Sequence, residues 1–434
     1  MGEKNSKRTI VIMGTLDTKE CEGHYLTNQI EEYGNEPLLM DISMRKYQPT
    51  LGKPDISNAQ VAEAAGKTVE DVAAMERGQA IDIMCKGAAN IVEQLYDRKK
   101  MNGVIGYGGG VGTSIVCSAL KALPIGVPKL VVSTIAQHAE KFIEAKDIAV
   151  FPSVTDLTGG TRVNRVEAMI LANAAAAISG MVNAKPTILE EKPIIVASQF
   201  GVTTPHIAKS KEILEDKGYE LIAFHATGMG GQSLEELVRS GIAVGVLDVT
   251  THELADTLFG GVCKVRPDRL TTAGRKGCPQ VILPGALDMV NFWEPETVPE
   301  SFKDRRFYHH IPRRVTLMRT NKEECAKLGK IVAEKVNEAT GSTVVIIPLR
   351  GWSMYDAEGG VLTVDYYGKP TEEPWYDPEA NKAFTEALEK FVDKTKHNVK
   401  VMKVDLHIND PELAELTATI LDDMIRGDRK SMEE

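Results

Sequence analysis

Short apolar runs bounded by glycine or proline alternate with longer amphipathic stretches along most of the 434 residues. Thr9–Met13, Pro37–Ile42, Val104–Ile105, Leu130–Val132 and Ile148–Phe151 read as buried strands, because a brief apolar run between turn residues suits a parallel sheet covered on both faces. The stretches 19–33, 77–99, 113–120 and 163–181 carry the helical spacing. Residues 44–74 interrupt this rhythm with a polar insertion. The alternation resumes with strands at Ile194–Ala197, Glu220–His225, Ala243–Asp248, Thr343–Pro348 and Val401–Leu406. The pattern predicts an α/β chain of two open, mostly parallel domains, residues 1–188 and 189–434, facing each other across a cleft and joined by a proline-marked linker at 183–193. The second half echoes the first: Gly201-Val-Thr-Thr resembles Gly14-Thr-Leu-Asp, and Gly231-Gln232 opens a helix as Gly78-Gln79 does. Duplication of one βα unit is therefore expected.

The densest signal lies at Gly103–Thr134. Five glycines between Gly106 and Gly112 follow a strand and precede a helix that opens at Thr113 and Ser114. Glycine lets backbone approach a ligand closely, and the free N–H groups of a helix start attract anions. Gly108, Gly109, Gly110, Gly112 and Thr113 are thus predicted to cradle a phosphate, with the hydroxyls of Ser133 and Thr134 facing the same crevice. The spacing is neither that of a P-loop, since no lysine follows Gly112, nor that of the dinucleotide fingerprint. Thr15, Asp17, Thr18 and Lys19 follow the first strand, where open α/β sheets bind ligands. Asp17 and Thr18 are equally suited to capping the next helix. Arg77 suits bidentate phosphate binding, or else a surface pair with Glu76 or Asp82.

The formal charge of −10 argues against nucleic acid as the main partner. The N-terminal residues lack a signal-peptide core, and no stretch is read as a membrane span. Six scattered cysteines without a C-x-x-C pair suit reduced thiols in a cytoplasm, and no metal-ligand set is assigned.

Polar residues in the second half cluster after strands: Asp248 and His252, Asp288, Arg319–Asn321, Arg350 and His407. Asp248, His252, Asp288, Arg350 and His407 are expected to converge as catalytic groups. Arg350 would clamp a carboxylate or phosphate, His407 would move protons, and the two aspartates would hold hydroxyls or a cation. The alternative for Arg350 is a loop-holding pair with Asp356 or Asp365. His252-Glu253-x-x-Asp256 resembles a zincin helix but has aspartate where the second histidine should stand.

Gly14-Thr-x-Asp-Thr-Lys19, Arg77-Gly-Gln-Ala-Ile, Gly103-Val-Ile-Gly-x-Gly-Gly-x-x-Gly-Thr-Ser114, Leu123-Pro-Ile-Gly-Val-Pro-Lys129, Phe151-Pro-Ser-Val154 and Asp248-Val-Thr-Thr together resemble one family. It is the family of uncharacterised proteins similar to the N-terminal ATP-binding domain of the tomato mosaic virus resistance protein. The resemblance implies two Rossmann-like domains, ATP in the first and a homodimer. It places ATP against Asp17, Thr18, Lys19, Ser43, Arg77, the 108–113 loop, Ser133, Thr134 and Asp156, and leaves a companion Mg2+ open. The expected function is an ATP-binding enzyme acting on a small polar or acidic substrate. A non-catalytic nucleotide-binding regulator or inhibitor is the rival, and a metal-dependent hydrolase or isomerase a third class.

Overall fold

The computed structural model describes residues 7–157, 159–185, 191–310 and 314–427. Contacts divide the chain into two compact units, Met1–Ile188 and Leu189–Glu434. Part of the expected linker, 186–190, and Arg313 lie outside the described residues.

The first unit runs β1 (Thr9–Gly14), α1 (Leu16–Glu32), β2 (Glu36–Asp41), α2 (Asn58–Ala64), α3 (Val69–Ala74) and α4 (Arg77–Asp97). It continues with β3 (Gly103–Gly108), α5 (Gly110–Ala122), β4 (Lys129–Ser133), α6 (Glu140–Ile143), β5 (Ala149–Pro152) and α7 (Arg165–Asn183). Its sheet has the order β2-β1-β3-β4-β5, all parallel. Side chains on each strand alternate between two cores, as the pleat requires. Val11 and Val104 face the layer of α4 and α5, whereas Ile10 and Ile105 face α1 and α7. By length and composition α7 could cross a membrane, with 19 residues and a mean hydropathy of 1.3, which corrects the reading that no stretch could. Its Leu171, Ala174, Ala175 and Ile178 are nevertheless buried against this sheet.

The second unit opens with β6 (Ile194–Gln199), α8 (Thr204–Asp216), β7 (Glu220–His225), α9 (Met229–Arg239), β8 (Ala243–Thr250), α10 (Glu253–Phe259), α11 (Thr272–Lys276) and β9 (Gln280–Gly285). An excursion of β10 (Met289–Phe292), β11 (Phe307–His310) and β12 (Val315–Arg319) leads to α12 (Lys322–Val336) and β13 (Thr343–Pro348). The chain then forms β14 (Leu362–Val364), β15 (Pro370–Pro374), α13 (Pro378–Phe391), β16 (Val399–Val404) and α14 (Pro411–Arg426). The parallel sheet is ordered β16-β13-β9-β8-β6-β7. Counted from its own first strand, this repeats the order of the first unit and adds one strand, as the internal echo predicted. A second, antiparallel sheet of order β10-β12-β11-β14-β15 was not expected. Arg319 therefore ends an antiparallel strand with Thr320 and Asn321 after it, and Asn321 forms a capping box with Glu324 at the start of α12.

In each parallel sheet the chain reverses its winding between two neighbours, β1 and β3 in one unit and β6 and β8 in the other. The helices after such a pair splay apart and open a crevice at the carboxyl ends of the strands.

Candidate functional site

The crevice of the first unit is built around Tyr107. This residue is fully buried, and a Cβ on Gly14 or Gly23 would lie 2.0 or 2.5 Å from its ring or hydroxyl. Glycine at both positions makes room for the phenol, whose hydroxyl donates to the Lys19 carbonyl at 2.9 Å. Lys19 itself departs from helical geometry (φ −139°, ψ 44°), so α1 starts at Leu16 and bends where that carbonyl is held. Thr15 is the N-cap and its own side chain makes no capping bond; Asp17 and Thr18 lie inside the first turn, which disposes of a capping role for either. On the other side of the crevice Gly109 is the N-cap of α5, again without a side-chain cap. The first helical bond runs from the Thr113 N–H to the Gly109 carbonyl (2.8 Å), leaving the N–H groups of Gly110, Val111 and Gly112 ahead of it. The helix begins three residues before the expected Thr113.

A cleft of about 290 Å3 opens over these groups and is lined by Thr15, Asp17, Thr18, Lys19, Arg45, Arg77 and the 109–112 segment. Among the described residues none of its three cations is in an ion pair. Glu76 does not hold Arg77, because its carboxylate accepts the Gly78 and Gln79 N–H groups and caps α4. Arg45 is the cleft cation that sequence reading missed; it lies in the insertion dismissed as an interruption. A larger cleft of about 720 Å3 is lined by Ser133, Thr134, Ser153, Val154, Thr155 and Asp156, among others. Gly109 connects the two, since a Cβ placed on it would stand 3.7 Å from Thr134 Oγ1.

Two expected contacts are spent inside the protein. Ser43 is buried, its hydroxyl donating to Asp41 and accepting the Asp17 N–H at 2.9 Å, so it orients the start of α1 and does not line the cleft. Thr113 is buried as well, with its hydroxyl 2.8 Å from that of Ser133. Val154 is the opposite case: it is 77% exposed in the larger cleft and has φ +63°. A β-branched residue in that region is strained, and such strain concentrates at ligand sites. Beneath the clefts, Glu22 and Glu167 are buried together, and Glu22 Oε1 accepts the Gly159 N–H at 2.8 Å. Burial, with Glu22 alongside, pushes Glu167 up to about 7.

The five catalytic candidates of the second unit do not share one set of contacts. Asp248 is buried, accepts both terminal nitrogens of buried Arg269, and is further held by Ser198 Oγ at 2.6 Å. Arg269 also meets Glu253 at 2.8 Å and Glu235 at 3.5 Å. Burial raises both glutamates above their usual range, while Arg269 partly opposes that rise. Asp288 accepts Ser353 Oγ and Trp375 Nε1, each at 2.8 Å, and burial beside Asp356 pushes it up to about 6. His407 contacts the Ser353 carbonyl through Nε2 at 3.0 Å, so these two candidates meet at Ser353. Asp356 is paired with fully buried Arg319, and Asp365 receives the Tyr367 and Lys369 N–H groups at the β14–β15 turn. Arg350 corrects the expected clamp. It is exposed and bidentate to Asp405 (2.9 and 2.8 Å), a partner that neither sequence alternative named. It sits at the surface because Gly351 (φ +131°) turns the chain inward only after it. His252 is wholly buried against Phe200, their ring centroids 4.4 Å apart, and both ring nitrogens lack a hydrogen-bond partner. Burial and the Arg269 charge lower it to about 3.

The match to known proteins covers both units. The N-terminal domain of the uncharacterised protein family UPF0261 matches residues 8–187, and its C-terminal domain matches 192–425. A UPF0261 protein of Clostridium tetani is 43% identical over 94% of this chain and 96% of its own length. The ToMV resistance protein Tm-1(GCR237) of Solanum lycopersicum is 36% identical over 95% of this chain and 55% of its own. Among solved structures, a UDP-N-acetylglucosamine 2-epimerase from Rickettsia bellii aligns at 12% identity over 63% of this chain and 78% of its own. Its TM-score of 0.21 is too low to carry an argument. With both domains matched in order and relatives similar end to end, the chain belongs to the UPF0261 family.

Proposed function

We propose that the chain binds ATP in its first unit and uses it on a small polar or acidic substrate. The observation that carries this reading is the uncapped N-terminus of α5, overlooked by Lys19, Arg45 and Arg77 with no carboxylate paired to any of them. Three cations and a helix dipole around one small cleft would repel one another unless an anion joined them. The triphosphate would lie over Gly109–Gly112, with Asp17 offering a carboxylate to Mg2+. The nucleoside would occupy the neighbouring cleft, its ribose toward Asp156 and its base against exposed Val154. The cytoplasm suits the six free cysteines, and the protein would work as a homodimer.

One observation supports a second reading, that of a nucleotide-binding regulator. Asp248 and Arg350 are each held in a salt bridge, so the second unit offers fewer unengaged groups for chemistry than its sequence suggests. Calorimetric titration with ATP, with and without Mg2+, tests the shared claim, and absence of binding would end both readings. Phosphate release during incubation with candidate metabolites then separates them: turnover supports the enzyme, and tight binding without turnover the regulator. Light scattering at the titration concentration checks the dimer.

A further inference from the structure

We infer that the second unit contains a zinc-class metal site formed by His252, Asp256 and Cys263, independent of the nucleotide reading. The three side chains are buried, and their ligand atoms all lie within 4.8 Å of one another. Donors bound to a tetrahedral zinc at 2.0–2.3 Å stand roughly 3.3–3.8 Å apart, so closing on an ion needs shifts of about 1 Å. The second observation is His252 itself. It is 0% exposed, and neither Nδ1 nor Nε2 has a hydrogen-bond partner. Leaving a buried imidazole wholly unsatisfied is costly, and an ion bound to one nitrogen removes much of that cost.

The surroundings resemble the outer shell of a metal site. Asp256 Oδ2 accepts the Cys263 N–H and Oδ1 accepts the Asn291 N–H, each at 2.8 Å, while Asn291 Nδ2 adds a bond at 3.1 Å. These bonds fix the carboxylate: Oδ1 is fully engaged by Asn291, and Oδ2 keeps a further lone pair that can face an ion. Asn291 Oδ1, on the residue that holds Asp256, is another buried acceptor without a partner. Gly261 makes the turn possible, because a Cβ there would sit 2.5 Å from the Asp256 carboxyl carbon. Imidazole, carboxylate and thiolate form a mixed donor set suited to zinc rather than to magnesium or calcium. The burial of all three points to a structural ion, one that staples the start of α10 and the turn after it to β10. Metal uptake would release the Cys263 proton to solvent and needs no oxidant or reductant.

The test uses the full chain, stripped of metal by chelator under reducing conditions and then titrated with zinc against a chromophoric chelator. One equivalent per chain is expected, with a higher unfolding temperature for the second unit. Cys263→Ser and His252→Gln should each weaken zinc binding at least 100-fold. Because a buried substitution can unfold the unit, a crystal of unaltered protein soaked in zinc gives a second reading, with an anomalous peak expected between the three side chains. No zinc uptake by the stripped protein, a peak located elsewhere, or folded variants that bind zinc as the parent does would each overturn the proposal.

Discussion

Replacing Gly109 with valine separates a ligand-facing glycine from a structural one. At Gly109 the backbone is ordinary (φ −81°, ψ −162°), and a new Cβ meets only Thr134 Oγ1, at 3.7 Å. The fold should therefore accept the change. Valine is a poorer N-cap than glycine, but the unfolded chain loses freedom in compensation, and stability should move by less than about 1 kcal/mol. The side chain would nonetheless occupy the space through which a phosphate reaches the Gly110 and Val111 N–H groups. A hydrogen bond to a charged group is worth about 1.5–3 kcal/mol, so losing one should raise the Kd for ATP by roughly 10- to 100-fold. Gly106→Ala is the contrasting variant. Its Cβ would fall 2.2 Å from Val116 Cγ1 in a full core, which should cost about 1–3 kcal/mol of stability. Differential scanning calorimetry with titration on both variants gives the comparison. A folded Gly109→Val protein that binds ATP as tightly as the parent would refute the placement of the phosphates over α5.

The cations and the buried carboxylates supply further outcomes. Lys19→Ala and Arg77→Ala should each weaken ATP binding about tenfold or more with the unfolding temperature unchanged, because neither side chain is in an ion pair. The Glu22–Glu167 pair should make the first unit pH-sensitive. The folded state raises Glu167 from 4.5 to about 7 and so binds its proton more tightly than the unfolded chain. That contribution is complete below pH 4.5 and is lost as pH rises through 7, and Glu167→Gln should flatten this dependence in urea titrations between pH 5 and 8. In the second unit Arg269→Ala should lower stability by about 3–5 kcal/mol, since it strands Asp248, Glu253 and Glu235 without their cation, whereas Arg350→Ala should leave the unfolding temperature where it was.

The parallel sheets were legible because their buried strands are mostly apolar and lie next to glycine or proline, as Gly103–Gly108 does at both ends and Ile194–Gln199 does between Pro193 and Gly201. The antiparallel sheet was not. Its Phe307–His310 and Pro370–Pro374 are short and largely polar, with no alternation to mark them. Nor can a sequence tell why a glycine is present. Gly14 serves Tyr107 and Gly106 serves Val116, whereas Gly110 would meet nothing within 4 Å. The three look alike until their neighbours are known. The buried guanidiniums were missed for a related reason. Arginine reads as surface by default, yet Arg269 and Arg319 are enclosed and organise the loops whose aspartates were taken for catalysts.

That difference in pairing is what supports our proposal that phosphate is bound in the first unit. Both units have the same strand order and the same kind of crevice, so topology alone favours neither. In the second, Arg269 is met by three carboxylates, Arg319 by Asp356 and Arg350 by Asp405. Each of these three guanidiniums has been answered from within the chain. In the first, Lys19, Arg45 and Arg77 surround a helix N-terminus that no side chain caps, and none of them has an acidic partner. Charges left unanswered beside uncapped N–H groups destabilise a protein that has no ligand to place among them, and an anion of several charges reverses the sign of every one of those interactions.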